Sequence, residues 1–236
     1  MKLSIIIPFR NESKNIENTL QKLGDRLKNI DYELVLVNDF SIDNSFTIVE
    51  KQKEMNPKIS LYNNDKKGLG RALTLGIEKS KGEAVCIIMA DLSDDIEDLK
   101  TYYELIQEEG IDAIFGSRFI KGSKVNDYPL RKLILNRIFN YFTKIVFLTQ
   151  YNDFTNAFKI YKKKSLLKTF PLVSESFNIF LELPLKIISR KMKYKIIPIS
   201  WKNRKEGKSK FVIKELRSKY LFTLLYCLFE KILLIK

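Results

Sequence analysis

The sequence predicts an α/β protein with a doubly wound, mostly parallel sheet, helices on both faces and a C-terminal amphipathic helical appendage. The main observation is that short apolar runs alternate five times with helical patterns over the first 115 residues. Such alternation is typical of parallel strands joined by right-handed crossover helices. The second observation is that 45% of the 236 residues are hydrophobic and 30% are charged, as expected for a globular chain with a sizeable core.

The five predicted strands are apolar runs that each end in polar residues. They cover residues 3–8, 32–37, 59–62, 84–91 and 113–115. The helices between them carry apolar residues at helical spacing. The first is capped by Ser13, the second starts at Asp43 or Asn44 and ends before Pro57, and the next two cover 71–80 and about 96–108.

Beyond Gly116 the regular alternation stops. A long amphipathic helix is predicted over 133–149, with Arg137, Asn140 and Lys144 at helical spacing. The further predictions are a strand over 153–161, a helix over 174–188, a strand over 194–201 and a basic loop over 202–210. We expect one main domain, 1–212, with halves at 1–120 and 121–212, followed by an amphipathic tail at 213–236.

The net charge of +14 is concentrated late in the chain. Residues 186–219 carry thirteen Lys or Arg against two Glu, which favours contact with the phosphates of nucleotides, anionic lipids or nucleic acid. No apolar run reaches the roughly 20 residues that span a bilayer, and no signal peptide is visible. We therefore expect a soluble or peripheral protein without a transmembrane span.

The residue types that are scarce limit the possible chemistry. The chain has no His, which excludes His-based triads, imidazole bases and most zinc sites. Its two cysteines, Cys86 and Cys227, suggest reduced thiols and an intracellular compartment. Any reaction must therefore use carboxylates, Lys, Arg, hydroxyls or a bound metal.

The predicted strand at 84–91 ends in a cluster of carboxylates, namely Asp91, Asp94 and Asp95. In an open α/β sheet, ligands bind just beyond the carboxyl ends of the strands. Acids at that place can hold a divalent cation, and the cation can hold a diphosphate. The alternative is that Asp91 and Ser93 only turn the chain and cap the helix that follows.

Polar loops follow several of the predicted strands, at 8–12, 38–43, 90–95 and 116–119. Because parallel strands end at one edge of the sheet, these loops are expected to converge on one site. The first strand is not followed by GxGxxG, which argues against a Rossmann dinucleotide site, and no GxxxxGK[ST] phosphate loop occurs.

These loops carry a resemblance to a known family. The sequence resembles family-2 glycosyltransferases, and most of all the dolichyl-phosphate mannose synthase and polyprenyl-phosphate glycosyltransferase branch. The segment 153–158 is similar to the D-x-x-x-G-F motif of that branch, and 201–210 to its R-x-x-G-x-S-K loop. The other matching segments are IIIPFRNE at 5–12, VNDFSID at 37–43, GLGRA at 68–72, MADLS at 89–93 and GSR at 116–118.

The resemblance implies a GT-A fold, with a nucleotide-sugar-binding half at 1–120 and an acceptor half at 121–212. It implies that Asp91 and Ser93 bind Mg²⁺ or Mn²⁺ on the diphosphate, and that Asp91, Arg118 and Asp153 take part in catalysis. The implied donor-binding residues are Pro8, Arg10, Glu12, Asn38, Asp39, Gly68, Gly70, Ala90 and Asp91. The implied phosphate- or acceptor-binding residues are Arg118, Arg131, Arg204, Ser209 and Lys210.

Three positions depart from the family pattern. Met89 stands where the metal motif usually has its first Asp, and Ser93 stands where the branch often has Gln. A thioether does not replace a hard oxygen ligand for Mg²⁺, so either the cation is bound more weakly or Asp94, Asp95 or a water supplies the missing ligand. Ala157 replaces the Gly of the D-x-x-x-G-F motif.

The expected function is inverting transfer of a sugar from a UDP- or GDP-sugar to a polyprenyl or dolichyl phosphate at the cytoplasmic membrane face. The expected partners are the nucleotide sugar, the lipid phosphate and an anionic membrane surface, with a membrane protein as a further option and no specific nucleic acid. One alternative is a saccharide hydroxyl acceptor in cell-surface polysaccharide synthesis, for which Asp153 would be the general base. The other is a non-catalytic basic protein that binds RNA or membranes, which the ordered donor motifs disfavour.

Overall fold

The computed structural model describes residues 1–91, 93–203 and 213–234. Its strands are β1 Leu3–Phe9, β2 Tyr32–Asn38, β3 Ile59–Asn63, β4 Ala84–Ile87, β5 Ala113–Ser117, β6 Lys124–Asn126, β7 Lys159–Lys162, β8 Tyr194–Pro198 and β9 Ser200–Lys202. Its helices are α1 Ile16–Arg26, α2 Ser45–Met55, α3 Leu69–Lys79, α4 Ile96–Ile106, α5 Leu130–Phe147, α6 Lys163–Leu167, α7 Ile179–Ser189 and α8 Ile213–Leu234.

Seven strands form the central sheet in the order β3-β2-β1-β4-β7-β5-β8. Strand β7 is antiparallel to both of its neighbours, β4 and β5, whereas the other pairs are parallel. The register aligns the carboxyl ends of the first three strands, because Asn38 lies opposite both Phe9 and Asn63. The predicted mostly parallel sheet is confirmed, and the polar loops after these strands begin at one edge.

The core lies on both faces of this sheet. Along β1 the side chains alternate, so that Leu3, Ile5 and Ile7 belong to one buried cluster with α1 and α4, and Ile6 belongs to the other. The second cluster contains residues of α3, α7 and α8. Helices therefore cover both faces, as the doubly wound prediction requires.

Two predicted strands are shorter in the structure. The strand predicted over 84–91 ends at Ile87, and the strand predicted over 153–161 begins only at Lys159. The polar side chains before β7 make a turn instead, in which the Asn156 amide donates to the Asp153 carbonyl at 3.2 Å and Asn156 Oδ1 accepts from the Phe158 amide at 3.2 Å.

The strand predicted over 194–201 is divided in two. Strand β8 stays in the main sheet, whereas β9 pairs with β6 in a separate two-stranded sheet. The division falls after Pro198, which has no N–H for a ladder hydrogen bond. The helix predicted over 174–188 begins later, at Ile179.

The C-terminal helix α8 is part of the packed molecule on one side. Its Tyr220, Leu224 and Cys227 are buried in the same cluster as α7. Within the described residues, no helix combines the length and the hydropathy that crossing a bilayer requires.

Candidate functional site

Backbone and side-chain contacts join the loops at the carboxyl edge of the sheet. The Asp39 amide donates to the Phe9 carbonyl at 2.8 Å, and Asn11 Oδ1 accepts from the Ile42 amide at 2.8 Å. The third loop joins them, since the Asn64 amide donates to the Asn38 carbonyl at 3.0 Å. The convergence predicted for the loops after β1 and β2 is therefore present in the fold.

Asp39 is the buried carboxylate that holds two of these loops together. Its Oδ1 accepts from the Gly68 amide at 2.7 Å and from Asn64 Nδ2 at 2.9 Å, and the residue is only 6% exposed. Charge-assisted hydrogen bonds of this kind are strong and directional. Asp39 therefore fixes the loop after β3 over the end of β2. Its role toward a nucleoside stays a prediction.

Gly68 and Gly70 lie against the backbone of the segment that precedes α7. A Cβ on Gly68 would lie 2.4 Å from the Glu175 carbonyl oxygen, and a Cβ on Gly70 would lie 2.0 Å from that of Ser174. The Gly70 amide also donates to the Glu175 carbonyl at 3.0 Å. Packing thus requires glycine at both positions, whether or not a donor molecule also approaches them.

The other predicted donor-binding residues lie at or near the same edge. Pro8 is buried within β1, and Arg10 follows that strand. Glu12 Oε2 accepts from Asn15 Nδ2 at 2.9 Å, and Asn38 Nδ2 donates to Asn63 Oδ1 at 2.9 Å. The Ala90 carbonyl accepts from Thr19 Oγ1 at 2.7 Å.

The carboxylates of the acidic loop after β4 make different contacts. Asp91 Oδ1 accepts from the Ser93 amide at 3.1 Å and from Ser93 Oγ at 2.8 Å, which forms the turn. Asp95 is the residue that caps α4, because its side chain accepts from the Glu97 amide at 3.0 Å. The helix cap is therefore Asp95, and Ser93 orients Asp91.

One oxygen of the Asp94 carboxylate lacks a hydrogen-bond partner among the described residues. The residue is 9% exposed, and this oxygen, Oδ1, is buried. Burial, and then the neighbouring Asp91 carboxylate, raises the pKa of Asp94 from 3.8 to about 7. A buried acid beside a second acid is an arrangement that a bound cation stabilises.

The donor set fits a hard divalent cation that arrives with phosphate oxygens. Within the described part of the chain, no three Asp, Glu or Cys side chains lie close enough together to hold a metal ion. Mg²⁺ is commonly held by one or two carboxylates, with substrate phosphates and waters completing its coordination. Asp91, Asp94 and the Ser93 hydroxyl match that pattern, whereas the half-buried Met89 thioether does not.

Arg118 and Asp153 form a buried bidentate ion pair. Arg118 Nε donates to Asp153 Oδ2 at 2.8 Å and Nη2 donates to Oδ1 at 2.7 Å, and Asp153 is fully buried. Burial alone would lower the pKa of the Arg118 guanidinium, but the Asp153 carboxylate raises it above its ordinary value. The pair therefore keeps a fixed positive group at the end of β5.

Aromatic rings surround the Arg118 guanidinium. Its central carbon lies 5.3 Å from the ring centre of Phe119, 5.5 Å from Tyr128 and 5.7 Å from Trp201. The Tyr128 and Trp201 rings lie 4.9 Å apart. Rings at these distances attract the cation and keep it in place. Tyr128 carried no recognisable signal in the sequence.

Lys159 is a second buried cation that the sequence did not predict. It is 1% exposed, and its Nζ donates to the Phe154 carbonyl at 3.1 Å. Burial lowers the pKa of Lys159 to about 7, and the Asp153 carboxylate opposes that shift. A lysine within an apolar strand gives no sign of its partners, because those are main-chain carbonyls of the turn before β7, whose conformation the strand pattern does not reveal.

A cavity of about 670 Å³ opens beside these charges, between the edge of the sheet, α5 and α8. One end is polar and includes Asp91, Asp94 and Arg118. The opposite walls are apolar and aromatic, formed by Leu135, Phe139, Phe142, Phe177, Phe180, Tyr220, Leu221 and Leu224.

Helix α5 turns its polar side inward and an apolar stripe outward. Asn140 is fully buried and accepts from the Phe154 amide at 2.6 Å, and Asn136 Nδ2 donates to Thr155 Oγ1 at 2.6 Å. The outward stripe is 50–62% exposed and contains Ile134, Ile138, Tyr141 and Ile145. Helix α8 exposes a similar stripe, formed by Leu221, Phe222, Leu225, Phe229, Ile232 and Leu233.

Only some of the predicted phosphate-binding residues lie within the described part of the chain. Arg131 is exposed in the first turn of α5, and its neighbour Lys132 lines the cavity instead. Arg204, Ser209 and Lys210 lie outside the described residues. The strand that leads toward them, β9, is tied to the acidic loop, since the Lys202 amide donates to the Ser93 carbonyl at 2.9 Å.

Comparison with known proteins agrees with this geometry. The glycosyl transferase family 2 model matches residues 4–170. The chain is 33% identical over 135 residues to a dolichol-phosphate mannosyltransferase of Pyrococcus furiosus, covering 57% of this chain and 38% of that one. It is 24% identical over 213 residues to a polyprenol monophosphomannose synthase of Mycolicibacterium smegmatis, covering 87% and 79%. The match thus spans less than half of the Pyrococcus relative.

A solved structure shares the fold. Glucosyl-3-phosphoglycerate synthase of Mycobacterium tuberculosis, crystallised with Mn²⁺, UDP and glucosyl-3-phosphoglycerate, superposes with a TM-score of 0.72 at 14% identity, covering 96% of this chain and 79% of that one. This likeness confirms the predicted GT-A fold class. With the family model matching well over half of the sequence, the chain belongs to glycosyl transferase family 2.

Proposed function

We propose that the protein transfers a sugar, with inversion, from a UDP- or GDP-sugar to a polyprenyl or dolichyl phosphate at the cytoplasmic membrane face. The observation that carries this proposal is the cavity, which has acidic and cationic groups at one end and apolar helical walls at the other. A lipid phosphate likewise has an anionic group at one end and an apolar chain at the other. The names of the Pyrococcus and Mycolicibacterium relatives point to the same acceptor class.

The donor is proposed to lie along the carboxyl edge of β1, β2 and β4. The nucleoside would contact the loops fixed by Asp39, with Pro8, Arg10, Glu12 and Asn38 around it. The diphosphate would lie at Asp91, where Asp91, Asp94 and Ser93 hold Mg²⁺ or Mn²⁺. When bound, that cation supplies a positive charge for the leaving nucleoside diphosphate.

Arg118 is proposed to hold the acceptor phosphate. The ion pair with Asp153 uses its Nε and Nη2, and its guanidinium lies in the cavity wall beside Asp91. The same contacts favour an orienting role for Asp153 over the predicted role of general base, because both of its oxygens already accept hydrogen bonds from Arg118.

A phosphate acceptor makes a strong base unnecessary. Its second pKa of about 6 leaves it an anionic nucleophile at neutral pH. One of its oxygens attacks the anomeric carbon as the bond from that carbon to the diphosphate breaks. Such a reaction suits a chain without His.

The outward apolar stripes of α5 and α8 are proposed to rest on the membrane surface. Their exposed Ile, Leu, Phe and Tyr side chains would enter the headgroup region, and the net charge of +14 would draw the protein to anionic lipid. The lipid acceptor would then reach the cavity from the membrane that carries it.

The proposal is tested with two acceptors that differ only in the phosphate. Purified protein is incubated with Mn²⁺, a labelled UDP- or GDP-sugar and either a polyprenyl phosphate or the matching polyprenol. We expect product only from the phosphate, with the anomeric configuration inverted by NMR. Transfer to the alcohol or to a saccharide hydroxyl, with none to the phosphate, would refute it.

Asp153→Asn should reduce activity to the same extent with any acceptor that is used.

A further inference from the structure

The acidic loop after β4 contains an unexplained buried carboxylate. We infer that Asp94 takes the place of the carboxylate missing at position 89, so that the divalent cation is held by a pair three residues apart, Asp91 and Asp94. This inference rests on the proposed function, because it concerns the cation that accompanies the donor diphosphate.

One oxygen of Asp94 has no hydrogen-bond donor within the described part of the chain. This oxygen, Oδ1, is buried, and the residue is 9% exposed in the cavity wall. Arg118 is close enough to attract it electrostatically, but the guanidinium donates through Nε and Nη2 to Asp153. A carboxylate left buried in this way is stabilised by a bound cation or by a donor from elsewhere.

Backbone pairing fixes the direction of this side chain. Asp94 forms a bridge with Trp201, the Asp95 amide donates to the Ser200 carbonyl at 3.3 Å, and the Lys202 amide donates to the Ser93 carbonyl at 2.9 Å. Successive side chains on an extended segment point to opposite sides. Asp95 caps α4, so Asp94 is held on the other side, where the cavity lies.

The loop offers ligands that suit a hard divalent cation. Asp91 and Asp94 offer carboxylate oxygens and Ser93 offers a hydroxyl, all hard ligands suited to Mg²⁺ or Mn²⁺. Met89 lines the same cavity with a thioether, which is a soft ligand. The loop therefore keeps two carboxylates beside the diphosphate position although position 89 provides none.

The test measures Mn²⁺ affinity directly, by EPR titration of free Mn²⁺, with the ion alone and with UDP or GDP. The protein is compared with Asp94→Asn, which keeps the shape, and with Met89→Leu, which removes the thioether. Loss of a ligand should weaken Mn²⁺ binding about tenfold or more, at least as much as loss of a residue that only supports a ligand. We expect that loss for Asp94→Asn and less than a twofold change for Met89→Leu.

A rescue variant distinguishes the loss of a metal ligand from a folding defect. Met89→Asp added to Asp94→Asn should restore Mn²⁺ affinity, and circular dichroism without metal should show all variants folded. Unchanged Mn²⁺ affinity in Asp94→Asn, a large loss in Met89→Leu, or no Mn²⁺ binding by the unsubstituted protein would overturn the inference. Failure of sugar transfer with Mn²⁺ binding still dependent on Asp94 would reject the proposed function alone.

Discussion

Single residues decide whether the buried charges beside the cavity are balanced. Asp153 and Arg118 satisfy each other through two side-chain hydrogen bonds, whereas Asp94 Oδ1 is buried and accepts no hydrogen bond from any described residue. We therefore expect the paired Asp153 carboxylate to stabilise the fold and the charged form of the buried Asp94 carboxylate to destabilise it. Two substitutions separate them.

Removing Asp153 should be costly. Asp153→Ala leaves the Arg118 guanidinium buried at 8% exposure without its counter-ion, and breaking such a pair costs about 3–5 kcal/mol. Urea unfolding would measure the loss. Glu97→Ala, which removes a surface ion pair with Arg26 and Lys100, serves as the control and should change stability little. Similar losses in both variants would show that the buried pair does not stabilise the fold.

Removing the charge of Asp94 should instead stabilise the metal-free protein at high pH. The folded pKa of about 7 lies above the ordinary 3.8, so the folded form binds the proton more tightly. The stability that this proton contributes is complete below about pH 4 and is lost as the pH rises through about 7. With EDTA present, Asp94→Asn should melt above the unsubstituted protein at pH 8, and this advantage should shrink at pH 5. A constant difference at both values would contradict the assignment.

At the scale of elements, α3 depends on how closely its first turn approaches the segment before α7. Gly70→Ala would place a Cβ 2.0 Å from the Ser174 carbonyl oxygen, although alanine is normally the better helix former. We expect a lower melting temperature and, since this loop carries Asp39's partner Gly68, weaker nucleotide binding.

Gly24 in α1 provides a matched control for that substitution. A Cβ there would meet only the Tyr32 hydroxyl, at 3.9 Å, so Gly24→Ala should stabilise the protein by about 0.5–1 kcal/mol. Equal effects of the two substitutions on the melting temperature would mean that the contact with Ser174 is not tight.

The outward stripe of α5 leads to a prediction about membranes. Ile138→Glu and Ile145→Glu place charges on the exposed stripe, where each isoleucine is more than half exposed. Sedimentation with vesicles containing phosphatidylglycerol should show reduced binding and an unchanged melting temperature. Met55→Glu, at an exposed position on α2, should leave vesicle binding unchanged. An equal loss in all three variants would indicate charge repulsion alone.

The elements also show how far the sequence could be interpreted. Periodicity located the five strands and four helices of the first half, because the strands are short apolar runs and the helices carry apolar residues at helical spacing. For α5 the same periodicity identified two faces but not which one faces inward. Asn140 is fully buried and accepts from the Phe154 amide, and that contact is made with a turn after α5 whose position the helical periodicity does not reveal. The antiparallel insertion of β7 likewise depends on long-range pairing that no local pattern reveals.

At the scale of the whole molecule, the sheet topology explains why the site could be located before its details. Parallel strands carry the ends of β1, β2 and β4 to one edge, so the polar loops that follow these strands begin there. The partners of the site residues were less predictable. Met89 and Asp94 stand in one loop, yet only the pairing of that loop with β9 shows that Asp94 lines the cavity beside Asp91, whereas Asp95 caps α4.

The most direct test of the central claim is a thermal-shift panel of UDP, GDP and CDP, each with and without Mn²⁺. If the carboxyl edge of the sheet binds a nucleoside diphosphate, UDP or GDP with Mn²⁺ should stabilise the protein by about 2.7 kcal/mol at a hundredfold excess over its Kd. Asp91→Asn should abolish the Mn²⁺-dependent part of the shift. No shift with any nucleotide, with or without the ion, would contradict the claim.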